Sequence, residues 1–176
     1  MEIKVLRCKI CGEVFIGKEL PSNCPFCGVE NKFLIDGSLW KDENDIELTD
    51  ISKKNLAKAL EIELSNTAFY KCIAETSSDP AIAAMFKGLS KVEKEHADVF
   101  RKILKPDSDP QVNVTCTDDS LASLNSSKER ETRATKLYTQ ALQEATEERL
   151  KEVFAAIMKT EEDHLALDNE KLKKYK

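Results

Sequence analysis

From about Thr49 onward, apolar positions recur at steps of three and four and mark out four long helices. The first places Leu56, Leu60, Glu63, Thr67, Tyr70 and Ala74 on one stripe and should stop near the run TSSDP at 76–80. There Asp79 suits an N-cap and Pro80 a first helical position. The second aligns Ile82, Met85, Phe86, Leu89, Glu93, His96, Phe100 and Ile103 and ends before Pro106. Residues 105–119, KPDSDPQVNVTCTDD, carry no helical period. A third helix is predicted from about Ser120 to Ala145, with Thr146 as a break or cap. The fourth aligns Leu150, Val153, Phe154, Ile157, Glu161 and His164 and runs into a lysine-rich tail.

Connection lengths set the topology. The first and second helices join tightly, as do the third and fourth, so each pair is antiparallel. The middle connection of about fifteen residues reaches roughly 50 Å at about 3.3 Å per residue. A 27-residue helix is only about 40 Å long. The connection can therefore run the length of the bundle, which predicts a four-helix bundle with one long crossover, as in ferritin-like folds.

The two helical pairs repeat each other at an offset of 68 residues. Glu63 maps to Glu131, Tyr70 to Tyr138, Glu93 to Glu161 and His96 to His164. Core positions follow, with Leu56 to Leu124 and Phe86 to Phe154. The chain has only two histidines, and they occupy equivalent places. Residues three apart share a helix face, so each Glu-x-x-His pair converges. Glu63 and Glu131 lie on apolar stripes and point inward. Four buried carboxylates would cost at least several kcal/mol for each unpaired ion. Two divalent metals neutralise them, and oxygen plus imidazole ligands suit iron or manganese. A single Glu-x-x-His usually marks a solvated face; two in register, each thirty residues after a stripe glutamate, point to a dinuclear site. Tyr70 and Tyr138 either bond to these carboxylates or pack in the core. Glu95, Glu162 and Asp163 are expected to face solvent.

Cysteine usage adds a second centre. Cys8, Cys11, Cys24 and Cys27 form two Cys-x-x-Cys-Gly knuckles separated by twelve residues, a tetrahedral thiolate site for zinc or a single iron. Cys72 and Cys116 stand apart and read as a buried small hydrophobe and a loop thiol. The organisation is then a metal module at 1–37, an acidic linker at 38–49 and the bundle at 50–176. A net charge of −5 without a basic block argues against nucleic-acid binding. No apolar run approaches the roughly 20 residues that span a bilayer, and MEIKVLRCKI lacks a signal-peptide stretch. A soluble cytoplasmic protein is expected.

The combination of RCKICG, the twelve-residue gap, CPFCG, Phe33 and the doubled glutamate–Glu-x-x-His set resembles the rubrerythrins. In these a rubredoxin-like module is joined to a ferritin-like di-iron bundle. The module comes first, as in reverse-type rubrerythrins. The resemblance implies iron in both sites: mononuclear at Cys8, Cys11, Cys24 and Cys27, and dinuclear at Glu63, Glu93, His96, Glu131, Glu161 and His164, with Tyr70 and Tyr138 beside it. It also implies cytoplasmic reduction of hydrogen peroxide or dioxygen, an external electron-donor reductase, and dimers. In a dimer the linker could let one subunit's module dock on another's bundle. Two positions depart from the family pattern. Glu13 replaces an aromatic residue, and the interval TRATKL at 132–137 lacks a further carboxylate that many rubrerythrins carry. That second departure leaves open an iron-oxidising or iron-handling role. A non-catalytic zinc-ribbon interaction module on a structural bundle is the third reading.

Overall fold

The structure, a computed structural model, describes residues 2–175. Four helices follow a small sheet: α1 Asp50–Thr76, α2 Pro80–Leu104, α3 Ser120–Glu144 and α4 Glu148–Leu172. Each starts where local chemistry favours it. Thr49 accepts from the Ser52 amide, Asp79 from those of Ala81 and Ile82, and Asp119 from that of Ala122. The last cap falls on Glu147 and not Thr146, and it makes no side-chain cap bond. Glu147 instead accepts from the Thr49 amide and Ser52 hydroxyl, tying the start of α4 to the start of α1.

The helices pack as α1 on α2, α3 on α4 and α1 on α3. Residues 105–119 contain no helix or strand and run the length of the bundle. At one end Lys105 pairs with Asp45, ahead of α1. At the other, Asp118 accepts from the Ser78 amide, just past the end of α1. The crossover is fastened there by a Cys72–Cys116 disulfide, with Cα atoms 6.1 Å apart. This corrects the separate readings of the two cysteines. Cys72 is half-buried, and its partner is a loop residue 44 positions away.

The N-terminal module is a three-stranded antiparallel sheet in the order β2-β1-β3, from β1 Lys4–Cys8, β2 Val14–Gly17 and β3 Leu34–Asp36. It rests on its own bundle. Ile10, Val29 and the four knuckle cysteines share one buried apolar cluster with Leu60, Ala97, Phe100 and Phe154. Polar contacts surround that seam: Lys102 donates to the Cys11 carbonyl (3.0 Å), Lys9 to Glu152 (2.9 Å), and Arg149 to the Lys9 carbonyl (2.8 Å). Glu95 is half-buried rather than exposed because it faces the module, where burial and then the Glu13 charge raise its pKa. No helix among the described residues is long and apolar enough to cross a membrane.

Candidate metal centres

The four knuckle cysteines converge at the end of the sheet. Cys8 lies in β1, and the turns after Cys11 and Cys27 are completed by Gly12 and Gly28, both at positive φ. All four sulfurs are buried and lie within 4.8 Å of one another. Cys8–Cys27 and Cys11–Cys24 sulfur separations are both 3.8 Å. A tetrahedron with metal–sulfur bonds of about 2.3 Å has edges of about 3.8 Å, so the cage already has the dimensions of a bound metal. Neighbouring thiols hold Cys24 far below the ordinary thiol range and push Cys27 far above it. Sulfurs crowded this closely favour a shared cation that takes them as thiolates.

In the bundle, Glu63 from α1, Glu93 and His96 from α2, Glu131 from α3, and Glu161 and His164 from α4 meet at mid-height, with every carboxylate fully buried. They form two overlapping groups, Glu63–Glu93–His96–Glu161 and Glu93–Glu131–Glu161–His164, each with ligand atoms within 4.8 Å. Glu93 and Glu161 belong to both groups, so either carboxylate would be within reach of both ions of a pair. Each histidine turns Nδ1 inward. His96 Nδ1 lies 2.9 Å from Glu161 and 3.2 Å from Glu93, and His164 Nδ1 lies 3.1 Å from Glu93.

Much of this polar surface is unsatisfied. Glu63 Oε2, both Glu93 oxygens, His96 Nδ1, Glu131 Oε2 and Glu161 Oε1 are buried without a hydrogen-bond partner. The close His96–Glu161 approach lacks hydrogen-bond alignment. Buried orphans at this density are rare in proteins, and a cation at the centre would satisfy them together.

Protonation shows the same deficit. Burial, then Glu93 and Glu161, push Glu63 and Glu131 well above the carboxylate range. Burial opposes charge on His96, yet Glu161 and Glu93 outweigh it and raise its pKa to about 10. His164 moves the same way, and the two imidazoles hold Glu93 and Glu161 low against burial. Without metal, neutrality is reached with two imidazolium and two carboxyl protons. Two divalent ions supply the same charge.

Both tyrosines touch the cluster. Tyr70 on α1 donates to Glu131 on α3, and Tyr138 on α3 donates to Glu63 on α1. The pairing is reciprocal, as the internal repeat requires. Each tether uses one carboxylate oxygen and leaves Oε2 free toward the centre. Between Glu131 and Tyr138 the one buried side chain is Ala134, so the third helix supplies no additional carboxylate.

Two residues of this network escape the motif. Ser127 Oγ lies 3.2 Å from Tyr70 Oη and 2.7 Å from Asp168 Oδ2, and Asp168 is fully buried. The signal in the sequence is a break in the repeat. The residues 68 positions earlier are Ala59 and Phe100, so only one half carries this polar spur.

The two centres touch. Cys27, a residue of the thiolate cage, places its backbone oxygen 2.8 Å from His96 Nε2. Donation from Nε2–H to this carbonyl leaves Nδ1 as the nitrogen free for a metal. At the same seam a Cβ on Gly28 would lie 2.7 Å from Thr160 Cγ2 of α4, so only glycine allows the approach.

Comparisons with known proteins agree with this arrangement. The family model described as Rubrerythrin matches residues 54–170, and that described as Rubrerythrin, rubredoxin-like domain, matches residues 7–33. Reverse rubrerythrin-1 of Clostridium acetobutylicum is 27% identical over 113 residues, which cover 58% of this chain and 62% of that protein's length. A hypothetical protein from Pyrococcus furiosus is similar in fold. Its TM-score is 0.61 at 19% identity, over 69% of this chain and 88% of that one. The thiolate cage and the carboxylate–imidazole cluster both fit iron as cofactor.

Proposed function

Because the chain belongs to the rubrerythrin family, we propose that it reduces hydrogen peroxide to water, with electrons relayed from the four-thiolate centre to the dinuclear one. Each turnover takes two electrons and two protons, breaks one O–O bond and yields two waters. Iron, when bound, supplies Lewis acidity and the change of oxidation state.

The protein's own groups do the rest. Glu63, Glu93, His96, Glu131, Glu161 and His164 would hold the pair. Tyr138 and Tyr70 fix the carboxylates of Glu63 and Glu131. Phe86, Phe100 and Phe154, all fully buried, help keep bulk water out. Cys8, Cys11, Cys24 and Cys27 would hold the second iron, which receives single electrons from an external reductase.

The observation that carries this reading is the hydrogen bond from His96 to the Cys27 carbonyl. It joins a residue of the cage to a residue of the cluster by one short bond, a path with little use in a zinc ribbon that only binds partners. The competing reading is iron oxidation or iron handling, which the lack of a further carboxylate in the interval 132–137 favours. Rapid mixing of fully reduced protein with peroxide separates them. The expected result is oxidation of the cluster much faster than free ferrous ion, then loss of reduced thiolate iron, with iron retained through many turnovers. Oxidation no faster than free ferrous ion would end the peroxidase reading, and release of ferric iron at each cycle would replace it with the competing one.

A further inference from the structure

The dinuclear cluster has two unequal sides. On the α2/α4 side the thiolate module covers the His96 end, with Cys27 on His96 and Gly28 against Thr160 and Val92. On the α1/α3 side a cavity of about 330 Å³ lies beside the residues that flank Glu63 and Glu131. Its walls include Ile62 and Asn66 of α1 with Arg130, Arg133 and Leu137 of α3, while Lys58 and Glu61 stand at its exposed rim.

Resting on the peroxidase reading, we propose that this cavity is the port and binding site for a small hydroperoxide, with the Asn66 amide and the Arg130 guanidinium as its hydrogen-bond donors. Asn66 is only 2% exposed, yet its Nδ2 has no hydrogen-bond partner. Its Oδ1 accepts from Arg130 at 3.1 Å, which fixes the amide so that Nδ2 is the free donor. Arg130 is half-buried over the Phe69 ring at 4.1 Å. Its hydrogen-bond partners are neutral, Ser65 Oγ and Asn66 Oδ1, and it forms no ion pair among the described residues. A half-buried cation with only neutral partners and an orphaned amide both suit an added acceptor. The oxygens of a hydroperoxide carry lone pairs for both.

The internal repeat points to the same place. The counterpart of Arg130 is Ile62, and that of Asn66 is Ala134. Ile62, Asn66 and Arg130 line this one cavity. Both breaks in the repeat supply donors to one cavity.

The test uses the full chain in two forms. In isotope-labelled protein loaded with redox-inert zinc, hydrogen peroxide should shift the Asn66 side-chain amide and Arg130 Nε–H resonances saturably, and inorganic phosphate should not. In reduced iron-loaded protein, Asn66→Leu should lower the second-order rate of cluster oxidation by peroxide roughly tenfold, the worth of about one hydrogen bond. Ile62→Trp, which fills the cavity from its apolar wall and leaves both donors in place, should slow it comparably. Iron content and module-to-cluster electron transfer should hold in both. Parent-like rates in both variants, or equal shifts with phosphate, overturn the port. A parent cluster that peroxide oxidises no faster than free ferrous ion sinks the peroxidase reading instead, and the resonance shifts then decide the port alone.

Discussion

Asp168 carries a cost that the ligand set does not require. It is a fully buried carboxyl whose Oδ1 has no partner, and burial raises its pKa to about 7 against the bond from Ser127 and the charge of His164. A carboxyl raised from 3.8 to about 7 binds more protons folded than unfolded across that interval. Stability therefore falls as pH rises from about 4 to about 7 and levels off above. The full span is worth about 4 kcal/mol at about 1.4 kcal/mol per unit. Asp168→Asn removes that slope. In metal-free protein the variant should gain on its parent as pH rises through this window, by denaturant unfolding at several pH values. A constant difference between the two would mean that Asp168 is already ionised inside the fold. The six cluster residues were legible in the sequence because they are three positions that the chain states twice. Asp168, Ser127, Asn66 and Arg130 were not, because each sits at an ordinary helical position and differs from its surroundings only by failing to repeat.

At the level of elements, stripe and cap chemistry located the helices closely, since buried stripes and Asp79–Pro80 act within a few residues. The packing of the module on the bundle depends instead on contacts between distant segments. Gly28 is the tightest point of that seam. Its φ of +75° is strained for any L side chain, at roughly 1–2 kcal/mol, and an added methyl would meet Thr160 Cγ2 at 2.7 Å. Gly28→Ala should lower the melting temperature by several degrees. If electrons pass as proposed from the thiolate centre to the cluster, it should also slow that transfer, because the Cys27 carbonyl moves away from His96. Both effects are read on one sample, by calorimetry and rapid mixing. Unchanged transfer in a destabilised variant would show that the electron path does not run through this hydrogen bond. The tyrosine tethers connect the other two helices. Each crosses between α1 and α3, so the positions of Glu63 and Glu131 depend on the spacing of those helices.

Over the whole molecule, the long crossover followed from connection length alone, because two tight turns and one long span leave few arrangements. Its covalent fastening did not follow. Residues 72 and 116 are 44 positions apart, and only the folded path brings their Cα atoms to 6.1 Å. Closing a loop of that size stabilises the fold by about 4 kcal/mol in the chain-entropy picture. Cys116→Ser should lower unfolding stability by an amount of that order under oxidising conditions and make no difference in excess dithiothreitol, as followed by chemical denaturation. An equal deficit with and without reductant would assign the effect to packing. The two cysteines also flank the midpoint of the duplicated ligand set, with Glu63, Glu93 and His96 encoded before residue 106 and Glu131, Glu161 and His164 after residue 115. A protease that severs residues 106–115 therefore cannot set the halves adrift. The nicked chain remains one molecule with every ligand still tethered, and it comes apart only when a reductant opens the last link.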